Sequence, residues 1–238
     1  MSSPVISPKE KELLLGNEAV VRGALEAGVA YASTYPGTPA SEIGDTFASV
    51  CTELDNLYFE YSSNEKVALE SSAGAAFSGV KSLVAMKHYG VNVASDTLLP
   101  LAYLECPLVI AVADDPGCWS SVQTEQDTRW FSRMGKIPTL EPSNPQEVKE
   151  MTKLAFEIAW EHKIPVIVRL TTRVSHVRAP VDFGKLPERK AVGKFEKPKD
   201  GFPLGSANTL ALKKKLIEKV EEIGKSKFNE IANFSSRS

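Results

Sequence analysis

The chain is 238 residues long, 42% hydrophobic and 24% charged, with a formal net charge of -2 at pH 7. Such a composition suits a globular protein with a substantial core, as one large domain or one domain with an appendage. The near-neutral balance gives no basis for nucleic acid or an anionic membrane as a partner.

Cys51, Cys106 and Cys118 stand far apart and form no C-x-x-C pair, which argues against an iron–sulfur cluster or a structural zinc site on this chain alone. The sparse, odd cysteine count fits a reducing compartment, the first residues lack an apolar signal core, and no run is long enough to span a membrane. The expectation is a cytoplasmic protein.

Asn17 can cap a helix whose apolar face is Ala19, Val20, Ala24 and Leu25, and Gly28 ends it. Val29 to Thr34 reads as the first strand, broken by Tyr35-Pro36-Gly37-Thr38-Pro39; Thr38 as cap and Pro39 as first helical residue then start a helix over about Ala40 to Leu54. Leu57 to Tyr61 is the second strand. Ser62-Ser63-Asn64-Glu65 opens the next helix, to Gly79, and its run of small residues from Ser71 to Ala76 allows close backbone approach. Ser62-x-x-Glu65 fits a capping box, and it equally fits an acid directed into a crevice at a strand end.

Ser82 to Met86 makes the third strand, followed by Lys87-His88-Tyr89-Gly90 and a helix from about Asn92 to Leu104. The unbroken apolar run in Pro107 to Ala113 predicts a central strand buried on both faces. A polar loop, Asp114 to Asp127, leads to a short helix over Thr128 to Met134, a short strand over Pro138 to Leu140, a helix from Asn144-Pro145 to near His162, and a last strand over Pro165 to Leu170. Alternating strands and helices predict an α/β fold, a doubly wound, mostly parallel sheet with helices on both faces, over residues 1–183. Residues 184–238 read as an extended linker with Pro187, Pro198 and Pro203, an amphipathic helix marked by Leu212, Leu216, Val220 and Ile223, and a disordered tail. That helix could be solvated or could dock on an apolar surface.

The polar segments Thr34 to Thr38, Ser62 to Glu65, Lys87 to Gly90, Asp114 to Gln126 and Thr171 to His176 each follow a predicted strand, so a parallel sheet would gather them on one rim. His88 and His176 are rim candidates, and Cys118 or Trp119 offers apolar contact to a ligand there. The chain has no G-x-G-x-x-G after the first strand, no P-loop and no Gly-x-Ser-x-Gly.

Leu14-Leu15-Gly16-Asn17-Glu18-Ala19, Tyr35-Pro36-Gly37-Thr38-Pro39-Ala40-Ser41-Glu42, Asn64-Glu65-Lys66-Val67-Ala68-Leu69-Glu70, Met86-Lys87-His88-x-Gly90-x-Asn92, Asp114-Asp115-Pro116-Gly117 with Glu125-Gln126-Asp127, and Arg169-x-Thr171-Thr172-Arg173-x-Ser175-His176 follow one another in an order that resembles the N-terminal, pyrimidine-binding domain of the indolepyruvate ferredoxin oxidoreductase alpha subunit, over roughly residues 12–183. That family belongs to the thiamine diphosphate-dependent 2-oxoacid:ferredoxin oxidoreductases. The resemblance implies oxidative decarboxylation of an aryl 2-oxo acid to an acyl-coenzyme A with ferredoxin as acceptor, this chain supplying the aminopyrimidine half of the active site and being inactive alone.

It implies that Glu65 is the catalytic acid at the pyrimidine ring, that Tyr35, Pro36, Gly37, Thr38, Asn64, Glu65, His88, Gly90 and Asn92 bind the cofactor, and that Thr38, His88, Asp115 and Trp119 face the substrate. The Gly-Asp-Gly and asparagine magnesium motif of such enzymes is absent, so magnesium, iron–sulfur clusters and the diphosphate site are expected on partner domains or subunits of an oligomer. Where pyruvate-specific relatives carry an arginine after the fourth strand, this chain reads Asp114-Asp115, which favours aryl substrates. A subunit of a non-oxidative thiamine-dependent decarboxylase and a non-catalytic flavodoxin-like binding module are the alternatives.

Overall fold

The computed structural model describes residues 3–120, 124–189, 191–197 and 205–232. β1 (Lys11–Leu15) pairs antiparallel with β8 (Arg178–Asp182) in a separate two-stranded ribbon. Between them in sequence lie β2 (Tyr31–Thr34), β3 (Tyr58–Tyr61), β4 (Ser82–Lys87), β5 (Val109–Asp114), β6 (Thr139–Leu140) and β7 (Val166–Thr171), which form one parallel sheet in the order β3-β2-β4-β5-β7-β6. The central strands carry apolar residues at nearly every position because both faces are covered; Leu83, Val84, Val109, Ile110, Ile167 and Val168 are all buried.

Helices α1 (Gly16–Ala27), α2 (Ser41–Val50) and α6 (Pro145–His162) pack together as one layer, and α3 (Glu65–Phe77), α4 (His88–Tyr103) and α5 (Arg129–Gly135) as the other. The expected α/β architecture with a parallel sheet and helices around it is therefore present. α1 and α6 approach so closely that a Cβ on Gly23 would collide with the Lys149 carbonyl. Gly28, at φ 83, ends α1 as its sequence position predicts.

Several boundaries differ from the sequence reading. α2 starts at Ser41, with Ala40 rather than Thr38 at its cap, and stops at Val50. α4 begins directly at His88, because the extended backbone of Lys87 serves as its N-cap and no loop intervenes. Gly90 in the first helical turn reads as a turn signal in the sequence. The β1–β8 ribbon has no counterpart in the sequence reading, since its pairing joins distant segments and Pro180 weakens the strand pattern. A further short helix, α7 (Thr172–His176), links β7 to β8.

α8 (Ser206–Lys225) docks on the body: Leu216 and Ile223 are buried, while Lys215 and Lys219 bind the Glu105 carboxylate at 2.9 and 2.7 Å. The final helix, α9 (Lys227–Ala232), buries Phe228 against the His162 ring. The sequence reading of a disordered tail falls on residues 233–238, outside the described residues, as do Pro198 and Pro203 of the linker. Among the described residues no helix is long and apolar enough to cross a membrane.

A buried ionic cluster ties the ends of the main body together. Arg22 Nε donates to Glu26 Oε1 at 2.8 Å, and its other nitrogens donate to the carbonyls of Val5 and Gly184. The Gly184 amide donates to Glu26 Oε1 at 2.7 Å, and Lys149 Nζ stands 3.6 Å from Glu26 Oε2. Burial acts to raise the Glu26 carboxyl, but the Arg22 and Gly184 hydrogen bonds and the Lys149 charge outweigh it and hold the group below its ordinary value. A depressed native value gives stability that is present above the unfolded-state pKa and lost as pH falls through the native one. Glu26→Gln leaves the buried Arg22 without its counter-charge, while Lys149 keeps Glu150, and should cost roughly 3–5 kcal/mol at pH 7. In denaturant melts, the gap between wild type and variant should shrink as pH drops below about 4.5, where Glu26 protonates first in the unfolded state, and should close once the native carboxyl is protonated as well. A gap that stays constant down to acid pH would show that the Glu26 charge does not carry the stability.

Candidate active site

The chain passes from β2 outward to β3 and then returns across to β4 on the other side of β2. The segments that follow β2 and β4 therefore leave for opposite layers and open a crevice at the carboxyl ends of these strands. Tyr35 to Pro39 forms one lip and Lys87-His88 the other. The stem of Lys87 lies across Gly37, where an added Cβ would stand 2.9 Å from Lys87 Cγ and Cδ. Tyr35, Pro36 and Thr38 are exposed at the mouth.

Glu65 is the first residue of α3 and is only 6% exposed. Asn64 supplies the cap: its backbone is extended, and its Oδ1 accepts a hydrogen bond from the Val67 amide at 2.9 Å. Ser62 turns elsewhere, its Oγ lying 2.8 Å from Ser33 Oγ. The capping-box reading of Ser62 and Glu65 is thus excluded, because another residue caps the helix and Glu65 stands two positions too early for that role. Its side chain lies against Gly90, where a Cβ would come within 2.5 Å of Glu65 Cγ and 2.7 Å of Oε1. Only glycine leaves room at that point. Among the described residues the carboxylate has no hydrogen-bonding or ion-pairing partner.

His88, the first residue of α4, is buried, with Nδ1 3.4 Å from the Ala113 carbonyl and Nε2 without a partner. If the proton sits on Nδ1 to meet that carbonyl, Nε2 is left as an acceptor. Asn92 donates to Gln126 Oε1 at 2.7 Å, and Gln126 Nε2 donates to the His88 carbonyl at 2.7 Å. The loop after β5 is thereby fastened to the first turns of α4. Asp115 fastens its other end: it is buried, and its carboxylate accepts from the Trp119 and Ser120 amides and from Thr172 Oγ1 at 2.5 Å. Asp114 does the same for the end of the loop, accepting from Arg169 Nε at 2.6 Å and from the amide and hydroxyl of Thr128. Trp119, by contrast, is 82% exposed.

The sequence reading missed what holds the Tyr35 to Pro39 turn. Asn17, expected as a helix cap, is fully buried, and its Nδ2 donates to the Pro39 carbonyl at 2.7 Å and to Glu42 Oε2 at 2.6 Å. Glu18 supplies the terminal contact of α1, its carboxylate accepting from the Leu15 amide at 2.7 Å. Glu42 also meets His176 Nε2 at 3.5 Å. Three of the quoted motifs therefore converge on one turn. An Asn at a helix start is equally common as a cap, so the residue type alone does not separate the two roles.

A buried carboxyl without a partner, room for it made by a glycine, and a buried imidazole nitrogen without a partner suit a ligand whose ring nitrogens can share or donate protons. The residues present thus fit an aminopyrimidine. Among the described residues no group of three His, Cys, Asp or Glu side chains could hold a metal ion.

Comparison with known proteins agrees with that chemistry. Residues 22–227 match the family model described as pyruvate flavodoxin/ferredoxin oxidoreductase, thiamine diphosphate-binding. The chain is 45% identical over 235 residues to the indolepyruvate oxidoreductase subunit IorA of Methanothermobacter marburgensis, covering 96% of this chain and 38% of the relative. It is 48% identical over 223 residues to the IorA subunit of Thermococcus kodakarensis, covering 91% and 34%. The chain therefore spans little more than a third of the length of these curated relatives. The solved 2-oxoglutarate:ferredoxin oxidoreductase from Magnetococcus marinus shares the fold, with a TM-score of 0.74 at 19% identity over 91% of this chain and 45% of that one. The chain belongs to the thiamine diphosphate-binding family of the pyruvate flavodoxin/ferredoxin oxidoreductases.

Proposed function

We propose that this chain supplies the aminopyrimidine half of the active site in a cytoplasmic, oligomeric indolepyruvate-type oxidoreductase, which converts an aryl 2-oxo acid and coenzyme A to an acyl-coenzyme A with ferredoxin as acceptor. The observation that carries this reading is the Glu65 carboxyl, buried against Gly90 without a partner at the point where the strand order reverses. Residues 1–183 form the pyrimidine-binding unit and 184–238 its appended segment.

Thiamine diphosphate, when bound, supplies the electron sink for decarboxylation. The protein's own contribution is to hold and orient. Glu65 holds a proton at a pyrimidine ring nitrogen, and Asn64 fixes the turn from which it projects. Tyr35, Pro36, Gly37 and Thr38 face the ring from the opposite lip, while Gly90 keeps the pocket open. His88 offers Nε2 to the ligand, and Asn92, through Gln126, sets the His88 backbone. Asp115 shapes the substrate side by holding the loop that carries Trp119. The diphosphate and its magnesium, together with the iron–sulfur clusters, belong to partner domains or subunits.

Glu65→Gln preserves the size of the side chain, and Asn64 continues to cap α3, so the melting temperature should stay nearly unchanged. Cofactor C2–H exchange in the assembled enzyme should fall by roughly a hundredfold or more, the usual scale for an acid–base group. Glu70, whose carboxylate accepts from Thr97 on the exposed side of α3, is the control, and Glu70→Gln should exchange normally. Normal exchange in a folded Glu65→Gln enzyme would remove the central claim.

The isolated chain should bind thiamine diphosphate weakly even with magnesium, because ring contacts alone must offset the cost of immobilising the ligand. Titration calorimetry reads this directly. Submicromolar binding by the chain alone would mean that the site is not divided.

A further inference from the structure

A second concavity adjoins the crevice. Pro116, Trp119, Thr171, Thr172, Arg173 and His176 line a cleft of about 550 Å³ at the carboxyl ends of β5 and β7. That volume lies within the ordinary range for small-molecule sites. His176 connects it to the crevice, because its Nε2 stands 3.5 Å from Glu42, and Glu42 shares the Asn17 amide with the Pro39 carbonyl.

The charges in this cleft are unevenly matched. Asp115 is already satisfied by Thr172 and the loop amides, and Glu42 by Asn17 and His176. Arg173 is exposed, and among the described residues its guanidinium has no hydrogen bond or ion pair. Facing the same space is the indole of Trp119, 82% exposed. A free planar cation and an uncovered indole across one cleft match a ligand with a carboxylate at one end and an aromatic ring at the other.

We propose that Arg173 anchors the carboxylate of the aryl 2-oxo acid and that Trp119 forms the wall against its ring. This rests on the proposed function for the substrate class. The anchor is then supplied from the end of β7, beside the Asp114-Asp115 pair that occupies the end of β5.

The test uses the assembled enzyme carrying this chain and two readouts. Oxidation is followed with phenylpyruvate and with 2-oxobutyrate, and binding of the inert probe indole-3-acetate is followed by saturation-transfer NMR. Arg173→Met should lower kcat/KM for both acids by roughly ten- to a hundredfold, the scale of one charge-assisted contact, mostly through KM, and should abolish probe binding. Arg173→Lys should restore part of both. Trp119→Ala should lower the phenylpyruvate-to-oxobutyrate preference by roughly tenfold. Normal oxidation and probe binding in Arg173→Met would overturn the proposal and leave the proposed function intact. An enzyme that oxidises neither acid yet binds the probe in an Arg173-dependent way would support the anchor while overturning the proposed function.

Discussion

A carboxyl group withdrawn from water without a hydrogen-bonding partner is costly, and the surroundings of Glu65 are arranged to hold one in that state. The cap of α3 is delegated to Asn64, whose side chain takes the Val67 amide. Were Glu65 itself engaged with the backbone, as in a capping box, its oxygens would be consumed locally. Gly90 removes the side chain that would otherwise fill the space, and the reversal of strand order between β2 and β4 provides the crevice. The helix start contributes a favourable dipole for an acidic group in its first turn. These conditions come from the start of α3, from α4 and from the strand order, so the site is a property of the sheet's connectivity rather than of any one motif.

The rim and the base of the sheet treat charge differently. At the base, Arg22, Glu26 and Lys149 are buried and mutually paired, with backbone carbonyls of Val5, Asp182 and Gly184 taking the remaining donors. This cluster fixes the N-terminal segment and the strand that follows α7 to the α1–α6 pair. At the rim, Asp114 with Arg169 and Asp115 with Thr172 are also buried and paired, and through Thr128, which donates to Asp114, the loop after β5 is held at both ends. What is left without partners at the rim is a short list of groups that includes the Glu65 carboxylate and the Arg173 guanidinium. Because their polar neighbours are satisfied, these groups are the ones left free to meet a ligand.

The central strands were legible because burial on both faces leaves an unbroken apolar run, as in Leu108 to Ala113, and because each run is bounded by turn residues. The rim segments were legible for the same reason, since in a parallel sheet the residues after each strand must share an edge. Three features were not. The β1–β8 ribbon depends on pairing between segments far apart in sequence, which no local pattern reports. The start of α4 at His88 was hidden by Gly90, a turn signal by itself and a packing necessity once Glu65 is beside it. Asn17 was legible as a cap and is a buried clamp, because the amide that could cap α1 instead meets Pro39 and Glu42 across the layer.

The clamp explains why the first motif belongs with the others. The Tyr35 to Pro39 turn is exposed at its tip and makes few contacts of its own there, so its position must be set from its ends. On one side Lys87 lies over Gly37; on the other Asn17 grips the Pro39 carbonyl and Glu42, and Glu42 reaches His176. The turn is thus held between the end of β4 and the short helix after β7, the two places that border the crevice and the neighbouring cleft. A displacement of either border moves the turn, and with it Thr38. Rigidity at this turn follows from a buried amide with two acceptors in fixed places, a stronger constraint than any contact at the exposed tip could supply.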